Sequence, residues 1–154
     1  MSEYEDIDLK IRAARVLVQK RASYLNAALW RMRIIKSDLV PRAGVDKWWR
    51  LYFNPKFVAK TPTEELAGVW AHEVWHLLRG HARRAEALGI SYEDKSVENA
   101  ARAEIWNVAA DCEINDDLND FKLPVGAVYP STVSYTHLRA HETSLHLVCR
   151  LLLE

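Results

Sequence analysis

His72-Glu73-Val74-Trp75-His76 sits inside a long run of apolar periodicity, and no other segment limits the possible folds as strongly. On a helix, two histidines four residues apart are separated by about 40° of rotation, so both imidazoles can reach one ion. Glu73 projects about 100° from His72, where it can touch a water beside the ion rather than the ion itself. The flanking Val69, Trp70, Val74, Trp75, Leu77 and Leu78 turn part of the motif toward a core, where an acid without a role would be costly. The spacing therefore predicts a metal-holding helix with a base in the same turn and a half.

Two histidines are an incomplete set, because a catalytic Zn2+ takes three protein ligands and leaves one position open. His81 lies nine residues beyond His72, about 180° around an unbroken helix, with only Gly80 to bend it back. It reads better as a residue behind the ligands or on the surface. Asp111 is preferred as the third ligand. It lies in Trp106-Asn107-Val-Ala-Ala-Asp111-Cys-Glu-Ile-Asn115, on a helix that a short loop can return beside the first. Glu104, Asn107 and Asn115 fall within about 40° of it, a polar cluster suited to orienting a ligand from behind. Cys112, about 100° away, reads as packing, the tryptophans as core and cleft walls, and Arg79, Arg83 and Arg84 as a solvated face.

The remaining elements follow from periodicity. Ile7, Leu9, Ile11, Ala14, Val16, Leu17, Leu25 and Ala28 predict a first amphipathic helix over 7–29. Residues 30–35 and 48–53 alternate and predict strands, with a turn region at 37–44 between them and Asn54-Pro55 as a stop. Thr61-Pro62-Thr63-Glu64 predicts a capped helix start, the helix running to about Leu88 and ending at Gly89. A polar loop over 90–96 leads to a last helix over about 97–118, and 123–126 reads as turn. The order implies an α+β fold, the metal-motif helix and a second long helix packed beside a small, mainly antiparallel sheet.

Residues 133–154 are set apart. Val133-Ser-Tyr-Thr-His-Leu-Arg-Ala-His-Glu-Thr143 and His146-Leu-Val-Cys-Arg-Leu-Leu-Leu-Glu154 resemble translated sequencing-adapter DNA, so His137, His141 and His146 are discounted. The domain is expected over 1–132, truncated at its C-terminus, and the tail is expected to be non-native. The 21 basic and 21 acidic residues balance, with or without the tail, and offer no argument for nucleic acid or an anionic membrane. Cys112 is the only cysteine before the tail, and the acidic N-terminus has no apolar signal core. A cytoplasmic location is the expectation.

Leu51-Tyr-Phe-Asn-Pro55, Ala71-His-Glu-Val-Trp-His76 with His81, Trp106-Asn107 with Ala110-Asp111 and Ile114-Asn115, and Leu123-Pro124 through Tyr129 together resemble a bacterial metallopeptidase domain found beside von Willebrand factor A-like domains. The likeness covers most of residues 20–132. It implies a zincin-like fold, zinc at His72 and His76, and Glu73 as base. It also implies a peptide or protein substrate, and partnership with a von Willebrand A-like domain and an AAA-type ATPase. The leading expectation is a zinc-dependent peptide hydrolase, with Tyr129 and a strand edge at Leu51–Phe53 as further substrate contacts. The alternatives are a metal-stabilised binding or scaffold module that cleaves nothing, and a helical interaction domain without metal.

Overall fold

The computed structural model describes residues 3–91 and 93–127, with side chains from residue 6. The expectations for Tyr129 and for the tail at 133–154 lie outside the described residues. Among the described residues the class is α+β, with six α-helices and a three-stranded sheet. The chain divides into two compact units, one of Met1–Gly80 with Leu118–Val125, the other built on His81–Asp117.

In the first unit, α1 (Glu3–Arg21) buries Ile7, Ile11, Ala14 and Val18, a single stripe at helical spacing, against α3 and α4. Leu9 and Val16 stay exposed. The long helix expected over 7–29 breaks at Ala22, whose φ of −134° and ψ of 67° leave the helical region. A 3-10 turn, Ser23–Leu25, and α2 (Asn26–Arg31) follow. The break lets Leu25, Ala28 and Leu29 be buried in a new direction. Arg15 bridges the bend. Its guanidinium donates to the Leu29 carbonyl at 2.8 Å and lies over the Trp30 ring at 4.1 Å. Burial lowers its pKa from the usual guanidinium value.

Trp30 and Arg31 therefore finish a helix rather than open a strand. The strands are β1 (Arg33–Lys36), β2 (Ala43–Val45) and β3 (Arg50–Phe53), in the order β1-β3-β2. The sheet is mixed, not mainly antiparallel, since β1 pairs parallel with β3 and only β2 runs antiparallel to it. The segment β2 was expected to be turn, because Ala-Gly-Val between Arg42 and Asp46 has little strand signal of its own. Its ladder comes from β3. The strand β3 is also central, flanked on both sides, so it offers no edge for a peptide; the edges are β1 and β2. Leu51 and Phe53 point into the core and Phe53 meets Trp70 at a ring distance of 6.3 Å.

Trp48 and Trp49 precede β3 in a turn rather than belonging to it, and Trp49 has a φ of 63°. Asp46 holds that turn: one carboxylate oxygen accepts the Trp48 and Arg50 amides at 2.9 and 3.1 Å, the other pairs with Arg50 at 2.6 Å. Of the tryptophans, Trp70 and Trp106 are core, whereas Trp30 and Trp48 are largely exposed.

Asn54-Pro55 opens a short helix, α3 (Pro55–Lys60). Asn54 accepts the Lys56 amide at 2.9 Å and donates to the Val40 carbonyl at 3.0 Å, so one side chain caps α3 and ties it to the turn before β2. Lys10 donates to the Val58 and Ala59 carbonyls at 3.0 and 2.6 Å, a cation at the helix C-terminus. Thr61 does not cap the next helix. Its hydroxyl closes α3 instead, donating to Phe57 at 2.7 Å, and α4 (Thr63–Leu78) begins behind Pro62 with no side-chain cap. The helix also stops ten residues short of its expected end at Leu88, because Gly80 takes a φ of 65°.

In the second unit, α5 (His81–Ala87) and α6 (Val97–Asn115) enclose a small core of Ala85, Ile90, Trp106 and Ala109. Ser96 caps α6 by accepting the Asn99 amide at 3.2 Å. The Asn99 side chain, 5% exposed, staples the loop before the helix through Ser91 and Asp94. The start of α6 falls where the sequence predicts it. No helix among the described residues is long and apolar enough to cross a membrane.

Candidate metal centre

Helix α4 carries the first two expected ligands. Leu66, Ala67, Trp70, Ala71 and Val74 are fully buried, and this stripe fixes the rotation of the helix about its axis. His72 and His76 lie at the border of that stripe and are half-buried, as a ligand open on one side must be. Their Nε2 atoms are 2.8 Å apart, with ring centroids at 4.5 Å and planes at 79°. Without a cation, one nitrogen must donate to the other. A zinc bonded to both at about 2.0–2.1 Å in tetrahedral geometry needs them about 3.3 Å apart, a small rotamer adjustment.

Gly68, one turn before His72, makes room for the chain that returns over α4. A Cβ built there would lie 2.3 Å from the Lys122 carbonyl oxygen and 3.1 Å from a Leu123 methyl. The Lys122 ammonium pairs with Glu65 at 2.9 Å, so the returning segment is tied to α4 one turn before the glycine. A lone glycine inside a strong helix was the available sequence signal for this close approach.

Glu73 is 7% exposed on α4 and has no hydrogen bond or ion pair among the described residues. A buried acid with no partner among the described residues is expensive unless it has work to do. Asp111, half-buried on α6, is the residue expected to complete the set. Among the described residues, His72, His76 and Asp111 form a group able to hold a metal ion, each offering one ligand atom, and those atoms lie within 4.8 Å of one another. Two imidazole nitrogens and one carboxylate oxygen are a donor set that suits zinc.

His81 is not in that group, and it is not a surface residue either. It is 4% exposed at the start of α5, with Nε2 3.3 Å from a Glu113 carboxylate oxygen and its ring edge-on to Trp106 at 6.0 Å. Arg84 shares the same Glu113 oxygen at 3.3 Å and lies over the Trp106 ring at 5.6 Å. Arg84 thus leaves the solvated face assigned to it. Glu113 was not singled out in the sequence, although its spacing of seven from Trp106 puts both on one helical stripe. Of the residues expected to orient Asp111, Asn115 is buried, whereas Glu104 and Asn107 are exposed. Cys112 is a half-buried free thiol.

No curated protein and no solved structure matches the chain. A family model does, over residues 8–147, and its description agrees with the metal-capable side chains gathered here. The chain belongs to the family described as "putative metallopeptidase domain".

Proposed function

We propose that this metallopeptidase-family chain is a zinc-dependent hydrolase of peptide bonds, with His72, His76 and Asp111 as ligands and Glu73 as general base. The observation that carries the reading is the convergence of the two Nε2 atoms, with a carboxylate oxygen in the same group. When bound, zinc supplies Lewis acidity, acidifying water to a pKa of about 7 and polarising a carbonyl.

The protein's own acid does the proton work. The Glu73 carboxylate accepts a proton from the attacking water and delivers it to the amide nitrogen as the C–N bond breaks, leaving a carboxylate and an amine. The neighbouring turn of α4 holds Glu73 on the same helix as the two histidines, so the base and these two ligands keep fixed relative positions.

Glu73→Gln tests the assignment. The amide keeps the shape but cannot take the proton, so hydrolysis of a peptide library should fall by about 10²–10⁴-fold. Zn2+ uptake, measured by chelator competition, should be unchanged. Equal turnover in both proteins would remove Glu73 from the mechanism. Zinc uptake with no turnover in the wild-type chain would leave the metal-stabilised binding module as the better reading.

A further inference from the structure

The second unit contains a polar cluster with no part in the chemistry above. His81, Arg84 and Glu113 meet at one carboxylate oxygen, both contacts at 3.3 Å, and the Trp106 ring lies against His81 and Arg84. The His81 and Glu113 side chains are only 5% and 16% exposed. A charged group removed from water this far is retained only where hydrogen bonds compensate it. Here two donors from α5 converge on one acceptor from α6, so the cluster joins the two helices at a defined register and rotation.

The helical geometry says what that rotation controls. Trp106 and Glu113 are seven residues apart, about 20° from a common line, and both face α5. Asp111 lies about 140–160° from each of them, on the opposite side of α6. Whatever holds the Trp106–Glu113 stripe against α5 therefore sets the direction in which Asp111 points. The cluster is also close in sequence to the residues assigned as ligands. His81 follows His76 by five residues, and Glu113 follows Asp111 by two.

We propose that Glu113, held by His81 and Arg84, is a positioning residue for metal binding: it locks α6 on α5 so that Asp111 is presented to the ion. The proposal rests on the assignment of Asp111 as a ligand. It gives His81 a role next to the motif without making it a ligand, and it explains why a half-buried glutamate stands two residues from Asp111.

The experiment uses the full chain and reads Zn2+ affinity by chelator competition, together with the visible absorption of the Co2+-loaded protein. Glu113→Ala should weaken zinc binding by about tenfold and alter the Co2+ spectrum, since outer partners of metal sites typically carry 10–100-fold in affinity. Glu113→Gln keeps an acceptor for His81 and Arg84 and should restore most of both signals. Ile90→Ala, which thins the core of the same unit without touching the cluster, controls for general loosening. It should lower thermal stability while leaving the Co2+ spectrum as in the wild type. Unchanged affinity and spectrum in Glu113→Ala, or an equal change in Ile90→Ala, would overturn the positioning role while leaving the metal centre standing. Wild-type protein that takes up no Zn2+ would overturn the metal centre and the positioning role together.

Discussion

Gly68→Ala should destabilise this protein, although the same change in the interior of an ordinary helix stabilises it. Alanine is about 1 kcal/mol better than glycine inside a helix. The gain is outweighed here by the backbone laid on α4, because the new Cβ would stand 2.3 Å from the Lys122 carbonyl oxygen. Close contacts between an aliphatic carbon and a carbonyl oxygen begin at about 3.3 Å, so the segment must move by about 1 Å. The obstacle is backbone fastened by the Lys122–Glu65 pair and by Leu123, not the loose end of a side chain. Overpacking of this kind costs about 1–3 kcal/mol. With the helical gain deducted, a net loss of about 1–2 kcal/mol remains at the upper end of that range. For a domain of this size that lowers Tm by roughly 3–8 °C. Differential scanning calorimetry of the metal-free protein measures it. Gly44→Ala supplies the comparison, because a Cβ there meets nothing within 4 Å and Tm should hardly change. A Gly68→Ala protein as stable as the wild type would refute the claim that this glycine exists for a close approach.

Three further outcomes follow from the same geometry. Asp111→Ala should weaken Zn2+ binding far more than His81→Ala, as isothermal titration can show, because among the described residues Asp111, and not His81, falls in the metal-capable group with the two histidines; the reverse order would overturn the proposed assignment. Asn54→Ala removes both the cap of α3 and the tie to Val40, and urea denaturation should register a loss of about 1–2 kcal/mol. An unchanged denaturation midpoint would mean that water replaces both bonds. Saturating Zn2+ should raise Tm and a chelator should reverse it, since an ion that binds the folded chain stabilises it by mass action.

Some of this was legible in the residues because it depends on spacing alone. The separation of His72 from His76 dictates that two ring nitrogens converge on any helix, and in the structure they do. Asp111 was singled out on similar grounds, since a polar side chain at an apolar stripe needs a purpose. The start of α6 was legible from Ser96 and the periodicity behind it. The breaks were harder. Ala22 is no breaker, and α1 ends there because burying Leu25 and Leu29 requires the chain to turn. At Gly80 the signal was present but ambiguous, as a glycine can sit in a helix or end one.

The sequence by itself determined the local chemistry: two histidines and an acid on one helical turn and a half, and a second helix carrying an aspartate. Helical periodicity is a property of the backbone and needs no partner. Only the tertiary structure decided the rest. It made the sheet mixed, with β3 at its centre, because ladder hydrogen bonds are satisfied by whichever strand lies alongside. It turned Thr61 from a cap for α4 into a lock on α3, because a hydroxyl bonds to the nearest carbonyl. It also drew His81 and Arg84 to Glu113, a contact across some thirty residues whose cause is burial rather than sequence proximity.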